Sequence, residues 1–229
     1  MTLNNGTIFT SKMNPIPFEC QPEDTSMCGA ASATMILRAH NKLADQTEIW
    51  EALKFPDGKG MSAYRMTDYF LERKLLALAV IAKNPLALLD ICSEKNIHVV
   101  LLCRPLPEKT HGHFMVLVGT DAINVTVHDP DLGPNRKIER SVLLELCEPD
   151  IEFLAPQLSV MILVASKDDQ RSLCAVCNNE RSTVKCIFSG CGFEIPLAFS
   201  TVIGCITPSC SGSNVERVIC PKCGGQLMF

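Results

Sequence analysis

A thiol that opens a helix is placed to act as a nucleophile, because the positive end of the helix favours its anion. In CQPEDTSMCGAASATMILRAHN, residues 20 to 41, Cys28 holds that position: the polar EDTS precedes it, and Ala31, Met35 and Ile36 follow at helical spacing. The next residues, Gly29, Ala30 and Ala31, are small, so a substrate backbone is expected to approach the sulfur freely. Cys28 is one of thirteen cysteines, however, and a free cysteine is commonly just a small buried hydrophobe. Cys92, Cys103 and Cys147 fit that plainer description, each lying in or beside an apolar run, and Cys20 is the local rival.

The base that serves such a thiol must come from another part of the chain, which offers His40, His98, His111, His113 and His128. The stretch HGHFMVLVGTDAINVTVHDPDLG reads as a β-hairpin followed by a turn. With Thr120 to Ala122 as the loop, His113 lies straight across from Asp129 on one face, the geometry in which a carboxylate steadies an imidazole. A two-residue loop would set His113 opposite His128 instead. The first register is expected, since Asp129 precedes Pro130 and is biased to extended backbone at a strand end. His111, two residues before His113, competes for the same role. His128 reads as belonging to the other face or the turn, His40 as the polar end of a helix and His98 as structural. Asp121 and Asp131 read as turn residues.

Residues 15 to 165, through Gln21, CGAASATMIL, HFMVLVGTD and VTVHDPDLG, resemble the papain-like cysteine peptidases that remove double-glycine leaders from bacteriocins. The resemblance implies four roles: Cys28 as nucleophile, His113 as base, Asp129 orienting the imidazole, and Gln21 helping to form the oxyanion hole. It also implies a protein or peptide substrate, with glycine at the cleavage site. Phytochelatin synthases resemble the same Gln and Cys-Gly layout, so an acyl or peptidyl transferase is the alternative on this scaffold. A non-enzymatic adaptor that binds a partner is the reading from another class.

The other eight cysteines crowd the C-terminal segment: Cys174, Cys177, Cys186 and Cys191, then Cys205, Cys210, Cys220 and Cys223. Short-spaced thiolate pairs suit tetrahedral zinc, and a segment of this size can hardly build a core without such a staple. Two structural Zn2+ ions are expected in a small zinc-ribbon domain. The first four cysteines would hold one ion and the last four the other, because each half closes locally; the alternative is a nested grouping, the outer pairs sharing one ion and the inner pairs the other. Filling every position with thiolate leaves no place for a reactive water. The apolar FEIPLAFSTVIGCI between the halves is expected to pack on the first domain or on a protein partner.

These residues need a frame. Amphipathic helices are expected at Cys28 to about His40, TEIWEAL and MSAYRMTDYFLERK. Then come mostly strands: LALAVIA, HVVLLC, HFMVLVG, INVTVHD and LSVMILV, with a helix at PLALLDICSEK. An N-terminal helical lobe followed by a largely antiparallel sheet is an α+β, papain-like arrangement. The polar ASKDDQRS marks the boundary between a peptidase domain, 1–168, and a zinc-binding domain, 169–229. With a net charge of −4 and no block of like charges, neither a nucleic acid nor an anionic membrane surface is an expected partner. No segment reads as a membrane span or a secretory signal, so a cytoplasmic location is expected.

Overall fold

The computed structural model describes residues 15–103, 112–147, 160–166, 176–178, 183–197, 199–205 and 210–228. Four helices lie where apolar residues recur at helical spacing: α1 (Cys28–Ala39), α2 (Gln46–Leu53), α3 (Ala63–Glu72) and α4 (Pro85–Glu94). Two of them start on a side-chain cap. The Asp45 carboxylate accepts from Glu48 N at 2.9 Å before α2, and Asn84 Oδ1 accepts from Ala87 N at 3.1 Å before α4, with Pro85 at the first helical position. Helix α1 has no side-chain cap; residues 28 to 37 are buried, so packing holds it.

The strands are β1 (Leu76–Ala82), β2 (His98–Cys103), β3 (His113–Thr120), β4 (Asn124–Asp129), β5 (Gly133–Glu139) and β6 (Val160–Ala165), with β7 (Thr183–Lys185), β8 (Glu194–Pro196), β9 (Val215–Ile219) and β10 (Gln226–Met228) from the cysteine-rich segment. Eight form one antiparallel sheet in the order β10-β9-β1-β6-β2-β3-β4-β5, and β7 pairs with β8. The inner strands β2 and β6 are covered on both faces, which is why HVVLLC and VMILV are unbroken apolar runs. One face carries α1 and α3, with Met35, Ile36 and Phe70 over Val100, Val116 and Ile162. Against the other, Leu88 and Leu89 of α4 join Leu78, Leu101 and Leu117.

The apolar link of the cysteine-rich segment also joins that second cluster: Ile195, Leu197, Phe199, Val202 and Ile203 are buried there, the last three in and beside the short α6 (Ser200–Ile203). Strand β9 lies along β1, with Ala79 opposite Ile219 and Val80 opposite Val218. The segment expected as an appended unit therefore shares a sheet and a core with the first.

Within residues 15–165, two features differ from expectation. Strand β5 and α5 (Arg140–Cys147) were not foreseen, because in GPNRKIE only Ile138 is buried and the edge strand carries no apolar alternation. The β3–β4 connection does have three residues, but they are Asp121 to Ile123, one position later than expected. Asp121 Oδ1 fixes it by accepting from Ile123 N and Asn124 N at 2.8 and 2.7 Å. Val116 then pairs with His128 and Leu117 with Val127, and a bulge follows before Gly119. Neither expected register occurs. By this offset Asp129 falls level with Met115, and His113 reaches it on the diagonal.

Phe199 is fully buried in the shared cluster. Phe199→Ala should cost about 3–5 kcal/mol. In a urea titration the whole chain should move in one transition; a peptidase transition left in place would show two independent cores.

Candidate active site and thiolate clusters

Helix α1, the start of β3 and the end of β4 converge. Cys28 is the first residue of α1, and its sulfur lies close enough to the His113 imidazole to favour the protonated ring. The other side of that ring is fixed, with His113 Nε2 and Asp129 Oδ1 2.7 Å apart, so Nδ1 is left for the sulfur. Asp129 closes β4 with a side chain that has no exposed surface. A buried carboxylate needs donors. Pro130 turns the chain so that Asp131 N and Leu132 N donate to Oδ1 at 3.0 and 3.2 Å, and the Arg136 guanidinium on β5 pairs with Oδ2.

Burial alone would raise the Asp129 pKa, but the bonds from His113 and the turn outweigh it and bring it down to about 2. For His113, burial pulls downward, yet the Asp129 and Cys28 partners carry it from 6.5 to about 9. The pair is thus favoured as imidazolium and carboxylate near neutrality.

Gln21 sits on the same turn. Its N–H donates to Pro130 O at 2.9 Å, and its Nε2 donates to Thr25 O and Asp131 Oδ1, each at 3.2 Å. The arm that carries it is anchored upstream by His128, whose Nε2 donates to Ile16 O at 3.0 Å while Nδ1 accepts from Asn135 N at 3.2 Å. Burial lowers the His128 pKa, consistent with this neutral tautomer. His128 and Arg136, assigned no role from the sequence, are two of the residues that hold the site. Each could be sought only as a polar residue beside the Asp-Pro turn.

The small residues after Cys28 have another purpose than the expected one. Ala30 and Ala31 are fully buried, and a Cβ on Gly29 would stand 2.6 Å from Met61 Sδ and 3.0 Å from Phe114 Cδ2. They let α1 approach β3; they do not open the sulfur to substrate. His111 lies outside the described residues. His98 Nδ1 meets His40 Nε2 at 2.9 Å, away from this cluster at the opposite end of α1. Cys92 is buried and its thiol is pushed up to about 12. The buried Cys103 and Cys147 sulfurs are 3.8 Å apart, and their mutual hydrogen bond together with burial raises Cys103. Cys20 is exposed.

In the C-terminal segment, Cys186, Cys191, Cys220 and Cys223 bring their sulfurs together, and so do Cys177, Cys205 and Cys210. Cys174 lies outside the described residues. This overturns the expected grouping of consecutive cysteines and fits no nested one: the second pair joins the fourth, and Cys177 joins the third. The cause is that β7–β8 and β9–β10 are hairpins whose turns each present a pair, and these turns face one another, with Gly225 against the Phe188 ring. Sulfur separations of 3.6 Å for Cys186–Cys223 and 3.7 Å for Cys191–Cys220 match the roughly 3.8 Å edge of a tetrahedron with metal–sulfur bonds of about 2.3 Å. Gly225 N and Gly212 N also donate to Cys223 and Cys210 sulfurs, each at 3.4 Å. Both clusters could hold a metal ion.

The His113–Asp129 pair makes stability depend on pH. With the His113 pKa raised from 6.5 to about 9, its contribution is complete below pH 6.5 and is lost as pH rises through 9. Asp129, lowered from 3.8 to about 2, contributes above pH 3.8 and loses that contribution as pH falls through 2. Urea midpoints of the wild type should therefore fall between pH 6.5 and 9, and His113→Gln should flatten that fall. Equal slopes in both proteins would contradict the pairing. Gly29→Ala should cost about 1–3 kcal/mol. Because the added methyl meets Met61, Gly29→Ala with Met61→Ala should cost less than the sum of the single changes in the same titration.

Residues 18–146 match the sequence profile of the Peptidase C39 family, more than half of the chain. Among curated proteins there is no significant match. Among solved structures, the chain is similar to the peptidase domain of Streptococcus ComA, a bifunctional ABC transporter involved in quorum sensing. The TM-score is 0.51 at 15% identity, over 67% of this chain and 100% of that one. A putative C39-like peptidase from Bacillus anthracis gives a TM-score of 0.50 at 17% identity, over 67% and 96%. A double-glycine-motif protease from an AMS/PCAT transporter, in complex with its leader peptide, gives 0.48 at 19%, over 68% and 94%. Among the described residues no helix is long and apolar enough to cross a membrane. By its profile match the chain belongs to the Peptidase C39 family, and it is a papain-like cysteine peptidase.

Proposed function

We propose that this peptidase hydrolyses a protein or peptide substrate with glycine before the scissile bond, using Cys28, His113, Asp129 and Gln21. The observation that carries the reading is the meeting of the Cys28 thiol, at the start of α1, with an imidazole whose far nitrogen is held by a buried carboxylate. Family membership supports the glycine preference. His113 already holds, as imidazolium, the proton that Cys28 gives up, and the sulfur attacks the carbonyl carbon. The oxyanion is met by the Cys28 backbone N–H and by the Gln21 amide, released from its 3.2 Å bond to Asp131. The C–N bond breaks as His113 returns the proton to the leaving amine, leaving a thioester. Water, deprotonated by His113, attacks that thioester; the acid departs and Cys28 regains its proton.

The thiolate clusters are read as two structural Zn2+ sites, one held by Cys186, Cys191, Cys220 and Cys223, the other by Cys177, Cys205 and Cys210 with Cys174. Two sulfur separations near a tetrahedral edge support zinc there, and an all-thiolate shell would make it structural. The exposed Ile187 and Phe188 on the turn between β7 and β8 are the proposed contact for a protein partner. A cytoplasmic location remains part of this reading, since thiolate metal sites suit a reducing compartment.

Cys28→Ala should lower turnover of a Gly-Gly-aminomethylcoumarin peptide at least about 1000-fold, and iodoacetamide at neutral pH should label Cys28 ahead of Cys92, Cys103 and Cys147 by mass spectrometry. Full turnover by the variant would end the peptidase reading. Metal analysis should return two zinc ions per chain. Cys191→Ser with Cys220→Ser should leave one ion bound, because those two residues share a cluster; loss of both ions would restore the consecutive grouping.

A further inference from the structure

The proposed cycle makes two opposed demands on His113. Its imidazolium must first hold the proton taken from Cys28 and then surrender it to the leaving amine. Asp129 helps the first step and hinders the second, since a buried carboxylate 2.7 Å from Nε2 stabilises the charged ring. Asp129 does not lack donors: besides His113, Oδ1 receives Asp131 N and Leu132 N. What Arg136 adds at Oδ2 is a full positive charge, from a side chain one-third exposed (33%) against a carboxylate with none (0%). A half-buried arginine bonded to a wholly buried carboxylate also fixes which oxygen is free for the imidazole.

We propose that Arg136 is a positioning residue of the peptidase reaction, locking Asp129 through Oδ2 and offsetting its charge so that the His113 imidazolium can release its proton. This rests on the reading of Cys28, His113 and Asp129 as the catalytic groups. Among the described residues, the charged or titratable groups around His113 are few. Cys28 faces it from α1 and Asp129 from β4, and Cys103 is opposite it on β2 with Cys147 beside it. The bond with Cys147 and burial raise the Cys103 thiol, and the same bond lowers Cys147, so any negative charge of that pair falls on Cys147 and not on the residue opposite His113. Asp131, on the turn after β4, is engaged with Gln21 Nε2. Arg136 on β5 is the cation of this set.

The test follows the His113 ring signal by NMR in the full chain, labelled at histidine, from about pH 5 to about pH 11, alongside kcat and KM on a Gly-Gly-aminomethylcoumarin peptide. Removing a nearby positive charge makes the imidazolium harder to deprotonate, so Arg136→Met should raise the His113 midpoint by about half a pH unit or more. The same variant should lower kcat roughly tenfold with KM unchanged. Arg136→Lys, which keeps the charge, should hold the midpoint near the wild-type value and recover part of kcat. Arg136→Gln, neutral but still a donor, must raise the midpoint as the Met variant does, and it decides the matter if the Met variant is unfolded. A purely structural arginine predicts loss of stability with a midpoint unmoved or lowered; that result, or wild-type kcat in the neutral variants, overturns the proposal. Cys28→Ala separates the two levels. Wild-type turnover there removes the catalytic reading, whereas lost turnover there with an unaltered Arg136→Gln removes this inference alone.

Discussion

A carboxylate with no exposed surface is the constraint around which the site is arranged. Left alone at the end of β4, Asp129 would be costly to ionise. Four donors from three parts of the chain answer that cost: the His113 imidazole, the two backbone N–H groups after Pro130, and the Arg136 guanidinium. Each donor is thereby fixed in place. His113 is turned so that its remaining nitrogen meets Cys28, and the Asp-Pro-Asp turn is folded so that Pro130 O and Asp131 receive Gln21. His113 and Gln21, the proposed base and oxyanion donor, are thus both wired to one turn.

The sulfur is placed by packing. Helix α1 has no cap of its own, and the absence of side chains at Gly29 and bulk at Ala30 and Ala31 lets it settle against Met61 and Phe114. Its first residue is consequently held at the sheet end where β3 begins. The same small residues were legible in the sequence, but their use was not. Periodicity says a helix has a small face; only tertiary contact says whether substrate or a neighbouring strand meets that face.

Most of the helices and strands were legible because burial imposes period: in MSAYRMTDYFLERK the buried Ala63, Met66, Thr67 and Phe70 recur on one side about once a turn, and HVVLLC is apolar after His98 because it is buried on both faces. The edge strand β5 carries no such signal, and Arg136 was hidden with it. That Cys28, His113 and Asp129 come together was expected from residue type and spacing, yet the hairpin register was not, because a bulge beside Val118 changes the pairing without any mark in composition. In the cysteine-rich segment the pairs were legible and their partners were not. Loop closure costs only a few tenths of a kcal/mol more for a moderately longer loop. That is far less than the burial of Leu197, Phe199 and Ile203, which decides where the chain returns. The thiolate clusters are therefore built into the fold: Cys220 follows β9, whose partner β1 lies inside the main sheet, and Lys222 pairs with Asp68 of α3 at 2.8 Å.

The central claim is that Asp129 holds His113 as an imidazolium beside Cys28. Its most direct measurement is the NMR titration of His113 in the wild type and in Asp129→Asn, which has the same shape and lacks the charge. The wild-type ring should stay protonated well above 6.5, and the variant should titrate lower. A wild-type His113 that is neutral at pH 6.5, or one indifferent to the loss of the Asp129 charge, would contradict the account.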